Sequence, residues 1–178
     1  MIYLFRIISD EGQDFFRDLV IEGSDTFLDF HRALQLDLGY DPTQLASFFI
    51  TNEMWEKEHE ITLIDMMEDS GIKKATMNDA SIQDHISDEN QRMIYVYDFF
   101  SERAFFIELI EKSEDSTEKK TPFIGHSEGD PPPQLALDLL LDEFDETLDE
   151  FDPERMQDNI SLDDLDPDSF EADFPDDF

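Results

Sequence analysis

Cysteine is absent from all 178 residues, so the chain forms no disulfide and offers no thiolate as metal ligand or nucleophile. Cationic side chains are scarce: 12 Lys and Arg stand against 47 Asp and Glu, a formal net charge of −35. Proteins that grip nucleic acid do so mainly by neutralising phosphates with Lys and Arg, and docking on an anionic membrane needs the same charges. The balance argues against both. No apolar run approaches the ~20 residues that cross a bilayer. The stretch Met1 to Arg6 has neither a basic start nor a small-residue cleavage site, so no signal peptide and a cytoplasmic location are expected. The six glycines are scattered, and neither a Walker loop nor a GxGxxG turn occurs.

Aromatic residues, in contrast, are plentiful, with 17 Phe, four Tyr and one Trp. Disordered chains are poor in them, so a folded core is expected despite the charge. The charge itself is uneven. Residues 1–126 hold 27 acidic and 11 basic side chains, whereas residues 127–178 hold 20 acidic side chains and a single basic one, Arg155. Between them run Gly125, Gly129 and Pro131 to Pro133, a stretch that reads as a break in regular structure. The division expected is a domain over residues 1–130, an acidic amphipathic helix over 131–153 and a flexible acidic-aromatic tail over 154–178.

The domain reads as α+β, with a mixed or antiparallel sheet and a few helices. Ile2 to Ile8 and a segment within Phe15 to Ile21 are short, apolar and rich in strand formers. Thr26 can cap a helix, with Asp29 completing a capping box. Phe27, Phe30, Leu34 and Leu38 then recur at helical spacing, and Gly39 is placed to end the helix. Leu45 to Thr51 predicts a strand, Ile61 to Met67 is ambiguous, and Ala80 to Ile86 predicts a short helix. Met93 to Phe99 and Phe105 to Ile110 predict a hairpin, with Tyr95, Tyr97 and Phe99 on one face and Ile94 and Val96 on the other. A strand apolar on both faces belongs at the centre of a sheet. Beyond the prolines, Leu137, Leu140, Leu141, Phe144, Leu148 and Phe151 form one helical stripe, readable as packing on the domain or as a partner helix. In the tail, Phe170, Phe174 and Phe178 alternate with acids, the pattern of a solvated segment that docks on an apolar partner.

Three stretches in order resemble the plasmid pRiA ORF-three-like family, also known as transposon passenger proteins. They are Thr26 to Leu34 with Leu38-Gly39-Tyr40-Asp41, then Tyr95-Val96-Tyr97-Asp98-Phe99, then Gly125 followed by Pro131-Pro132. The resemblance implies an α+β fold and no defined activity. Its strand typically continues Gly-Asp-x-Trp-x-His after Tyr-Asp-Phe. Here Phe100, Ser101, Arg103 and Phe105 stand at those four positions, the mark of a divergent member.

No catalytic, cofactor or metal-binding residue is assigned from the sequence. His31, His59, His85 and His126 are too dispersed for a His-x-x-x-His pair. Asp164, Asp166 and Asp168 imitate the start of a calcium loop, but Ser169 and Pro175 stand where it needs Gly and Glu. Asp98, in a strand among aromatics, is the carboxylate to examine for acid–base work. The plainer alternatives are capping the turn that follows or pairing with Arg103. Trp55 reads as half-buried support at a sheet edge, and His31 as a histidine packing its ring at the edge of the core. The candidate pocket or interaction residues are Asp98, Tyr95, Tyr97, Arg103, His31, Phe170, Phe174 and Phe178.

The function expected is that of a non-enzymatic protein-interaction module, monomeric or weakly dimeric, with a basic protein partner, no cofactor, no direct nucleic-acid binding and no membrane. Two alternatives stay open: a nucleic-acid mimic that inhibits a DNA-binding protein, and a hydrolase using Asp98 with a second carboxylate.

Overall fold

Tyr3, Phe5 and Ile7 are buried while Arg6 and Ile8 are exposed, the period of two that a strand with one covered face imposes. In the computed structural model this strand is β1 (Ile2–Ile8). It is followed by β2 (Phe16–Glu22), α1 (Phe27–Leu38), β3 (Ser47–Thr51), β4 (Lys57–Thr62), β5 (Ala75–Thr76), α2 (Ile82–His85), β6 (Arg92–Asp98), β7 (Arg103–Ser113) and β8 (Phe123–Glu128). The structure describes residues 1–11, 14–64, 75–114 and 119–135. The helix expected over 131–153, apart from its first residues, and the whole tail over 154–178, with Phe170, Phe174 and Phe178, lie outside the described residues.

The strands form one sheet in the order β5-β4-β3-β6-β7-β1-β2-β8. Neighbours pair antiparallel throughout, except for the parallel pair β4–β5. With two helices among the described residues, this is the α+β class that the sequence predicts. β6, apolar on both faces, lies between β3 and β7 in the interior of the sheet.

Helix α1 covers one sheet face. Its Phe30 ring meets Phe5 of β1 at 5.3 Å and Phe48 of β3 at 5.2 Å, and Phe27 meets Phe48 at 5.2 Å. Each such ring taken fully out of water contributes about 1.5–3 kcal/mol before packing is counted. The helix starts where its cap chemistry starts. Thr26 accepts from the Asp29 backbone N–H, and the Asp29 carboxylate accepts from the Thr26 backbone N–H. It stops at Gly39, whose φ of 69° a side chain would oppose. Replacing Thr26 with alanine removes one arm of the capping box and is expected to lower stability by about 1 kcal/mol in urea melts.

The structure departs from the sequence reading at three places. Phe99 does not continue the face of Tyr95 and Tyr97; it lies in the turn after β6 and is exposed. The strand near Ile61 is β4, beginning at Lys57. Only Ile61 among its residues is buried, so no alternation of apolar residues announces it. Gly125 sits inside β8, which pairs with β2, rather than in a break. The following residues are fastened to the same end of the sheet. Arg17 Nη1 donates to the carbonyls of Glu128 (2.8 Å) and Gly129 (3.1 Å), and Tyr40 donates its hydroxyl proton to the Pro132 carbonyl. At Gly129, φ is 71° and a Cβ would stand 2.9 Å from the Asp14 carbonyl oxygen, so only glycine fits the close approach.

Candidate functional site

The helix period places His31 and Gln35 one turn apart on the buried face of α1, above Tyr95 of β6. Gln35 Nε2 donates to the Tyr95 hydroxyl at 2.6 Å, and the same hydroxyl is hydrogen-bonded to His31 Nδ1 at 2.7 Å. Burial, with a smaller push from the neighbouring Arg32 charge, lowers the His31 pKa to about 4. Burial raises the Tyr95 pKa, opposed by the Gln35 hydrogen bond. Gln35 Oε1 is left without a partner. The three side chains are a neutral polar bolt between helix and sheet.

A second group forms where β6 gives way to β7. Arg103 Nε donates to both Glu11 carboxylate oxygens, at 2.8 and 2.9 Å, and Arg103 Nη2 also donates to Glu11. The bond to Glu11 raises the Arg103 pKa, although burial opposes it. Tyr97 donates to Glu11 at 3.4 Å, and its ring lies 5.5 Å from that of Tyr40. Burial raises the pKa of both phenols. Arg17 completes this end of the sheet by bonding Asp37 at 2.6 Å.

Asp98 ends β6, and its Oδ1 accepts from the backbone N–H groups of Phe100 (2.9 Å) and Ser101 (3.2 Å). This is the turn-capping role, one of the plainer alternatives for that residue. Register sets Asp98 opposite Arg103, yet the Arg103 guanidinium reaches Glu11 on the β1–β2 loop. The structure thus brings Tyr97, Asp98 and Arg103 to one end of β6 and places the His31–Tyr95 pair beneath α1. All five are at most 8% exposed. Trp55 is half-buried, but its ring packs edge-on against Phe106 of β7 at 5.1 Å, with the Arg92 guanidinium 5.0 Å from its centre. It therefore covers the sheet face opposite α1.

Sequence reasoning missed the partners Glu11 and Arg17. An acid in a polar loop and an arginine early in a strand carry no local signal of the contact they will make. It also missed the exposure of the turn. Phe100 is 99% exposed and Phe99 46%. The Asp-Phe-Phe-Ser run between two strands was the available clue, since an Asp that caps a turn projects the residues after it.

At the other end of β6 lies a surface cleft of about 710 Å³, lined among others by Glu53, Glu58, Asp88, Glu89, Met54 and Arg92. Among the described residues, no three His, Asp or Glu side chains gather as a metal site. Among those residues, no helix is long and apolar enough to cross a membrane.

A search of curated proteins finds no match. Among solved structures, the chain is similar to the crystal structure of a protein of unknown function from Methanosarcina mazei Go1. The two are 22% identical with a TM-score of 0.61, over 85% of this chain and 91% of that one, a likeness that shows the fold. The family model described as plasmid pRiA4b ORF-3-like protein matches residues 2–173, reaching well past Pro131-Pro132, where the sequence motifs end. A match over nearly the whole length means that the chain belongs to the plasmid pRiA4b ORF-3-like family, as the helix, strand and Pro-Pro motifs indicate.

Proposed function

We propose that this protein is a non-enzymatic interaction module that binds a basic protein partner in the cytoplasm, as a monomer or weak dimer. One observation carries the reading. The candidate pocket residues of the sequence, His31, Tyr95, Tyr97 and Arg103, and Asp98, the carboxylate singled out for acid–base work, are all buried and committed to bonds that hold helix, sheet and turn together. Carboxylates far outnumber cationic side chains, and a net charge of −35 steers cationic surfaces toward the chain. The acidic-aromatic segment beyond residue 153 adds to the same attraction.

The test is salt dependence. With the full chain immobilised, proteins of the source cell are captured at low ionic strength, and each captured protein is purified and titrated. A basic partner whose affinity falls at least tenfold between about 0.05 and 0.3 M salt is expected, because the Debye length shortens over that range. Capture of no basic protein, or an affinity indifferent to salt, would defeat the proposal.

A further inference from the structure

Phe100 carries almost its whole ring in water at the tip of the β6–β7 turn, with Phe99 beside it. Single exposed apolar residues are common and need no explanation. Three features set this pair apart. The turn is stiff: Asp98 accepts from two of its N–H groups, and the Arg103–Glu11 pair clamps its base to the β1–β2 loop. Other exposed apolar residues lie on neighbouring elements toward this end of the sheet. Register puts exposed Ile8 opposite Phe106, near the start of β7. Exposed Leu45 lies just before β3, which begins opposite Val96 near the end of β6. Finally, the charged residues at this end include the exposed acids Asp10, Glu102 and Asp41.

We propose that the β6–β7 turn is a docking finger that inserts Phe100 into an apolar pocket, rimmed by Lys and Arg, on a protein partner. This rests on the interaction-module reading and names its contact surface. Because the turn backbone that carries the ring is already fixed by Asp98, docking orders only the Phe100 side chain, and more of its transfer from water is kept as affinity. Charge selects the occupant. The acids beside the finger suit a cationic rim, are repelled by anionic lipid, and oppose a second copy that carries −35 itself.

The test places a photo-cross-linking phenylalanine analogue at position 100 of the full chain, with Leu36 on the exposed side of α1 as the control position. The protein cross-linked at position 100 is then purified and titrated with wild type, Phe100→Ser and Phe100→Trp. The expected result is one protein adduct at position 100 and none at 36, an affinity at least tenfold weaker for Phe100→Ser, and near-normal affinity for Phe100→Trp. Melting temperatures of both variants stay at the wild-type value, because the ring contributes almost no buried area. A partner that binds Phe100→Ser within twofold of wild type while still responding to salt defeats the finger and leaves the acidic-surface reading standing. No salt-dependent partner at all defeats both. An adduct with lipid, with a second copy of the chain, or equally at position 36 also overturns the finger.

Discussion

Replacing Phe105 with alanine is expected to lower the unfolding free energy by about 3–5 kcal/mol. No side chain in the described core is more surrounded by rings. Phe105 is fully buried, with ring centres of Tyr97 at 4.6 Å, Phe15 at 5.3 Å, Tyr40 at 6.3 Å and Tyr95 at 6.5 Å. Those neighbours come from β6, the approach to β2 and the segment after α1, so a cavity here loosens three connections together. Neighbours that are themselves fastened, Tyr40 to Pro132 and Tyr95 to Gln35, cannot collapse into the space. Phe100→Ala, five positions earlier, removes a ring already in water and is expected to change stability by no more than about 0.5 kcal/mol. Urea melts of the two variants measure the contrast. Equal losses would overturn the contrast between a Phe105 ring at the centre of the core and a Phe100 ring in water. Phe105 also stands where the family motif has His. In this chain that position belongs to a closed aromatic cluster, and Arg103, where the motif has Trp, is the clamp on Glu11.

The second large effect is in acid. With its pKa lowered to about 4 from an ordinary 6.5, His31 is neutral in the folded protein when the unfolded chain already binds a proton. The unfolded state therefore takes up more protons as pH falls from about 6.5 to about 4, and His31 costs the fold on the order of 2–3 kcal/mol across that window. Above the window the contribution is intact. The 47 acidic side chains also titrate in acid, so the wild-type pH profile alone does not isolate the histidine. The difference between wild type and His31→Gln does, because the carboxylates are common to both. On going from pH 7 to pH 4.5, wild type is expected to lose clearly more stability than His31→Gln. Parallel profiles would show that His31 is not shut off from protons, and that the Tyr95 bond does not hold it neutral.

Much of the fold is legible where a local rule suffices. The capping box of Thr26 and Asp29, the spacing of Phe27, Phe30, Leu34 and Leu38, and the stop at Gly39 define α1 nearly to the residue, because caps and periodicity are short-range chemistry. β1 and β6 are legible because their apolar residues report burial directly. β4 is not, since Lys57, Glu58 and His59 owe their strand geometry to the ladder with β3. Nor is β8, where Gly125 falls at a register shift in the pairing with β2 and the residues after it are exposed, so no apolar alternation announces the strand. The site divides in the same way. Asp98 capping the turn is a contact over two and three residues, and the sequence offered it among the alternatives. The Glu11–Arg103 clamp spans 92 positions and the His31–Tyr95 bond 64, and no local pattern encodes either.

By itself the sequence determined the acidic balance, the absence of thiol chemistry, the α+β class, helix α1 with both its ends, and the family, because composition, periodicity and motif order need no third dimension. The tertiary structure alone decided the fates of the polar residues. Strand register and the seating of α1 took His31, Tyr95, Tyr97 and Arg103 into the interior as bonded groups, and the turn held by Asp98 left Phe100 outside. Both outcomes depend on which distant segments meet, and that is set by the pairing of strands far apart in sequence and the packing of α1 on them.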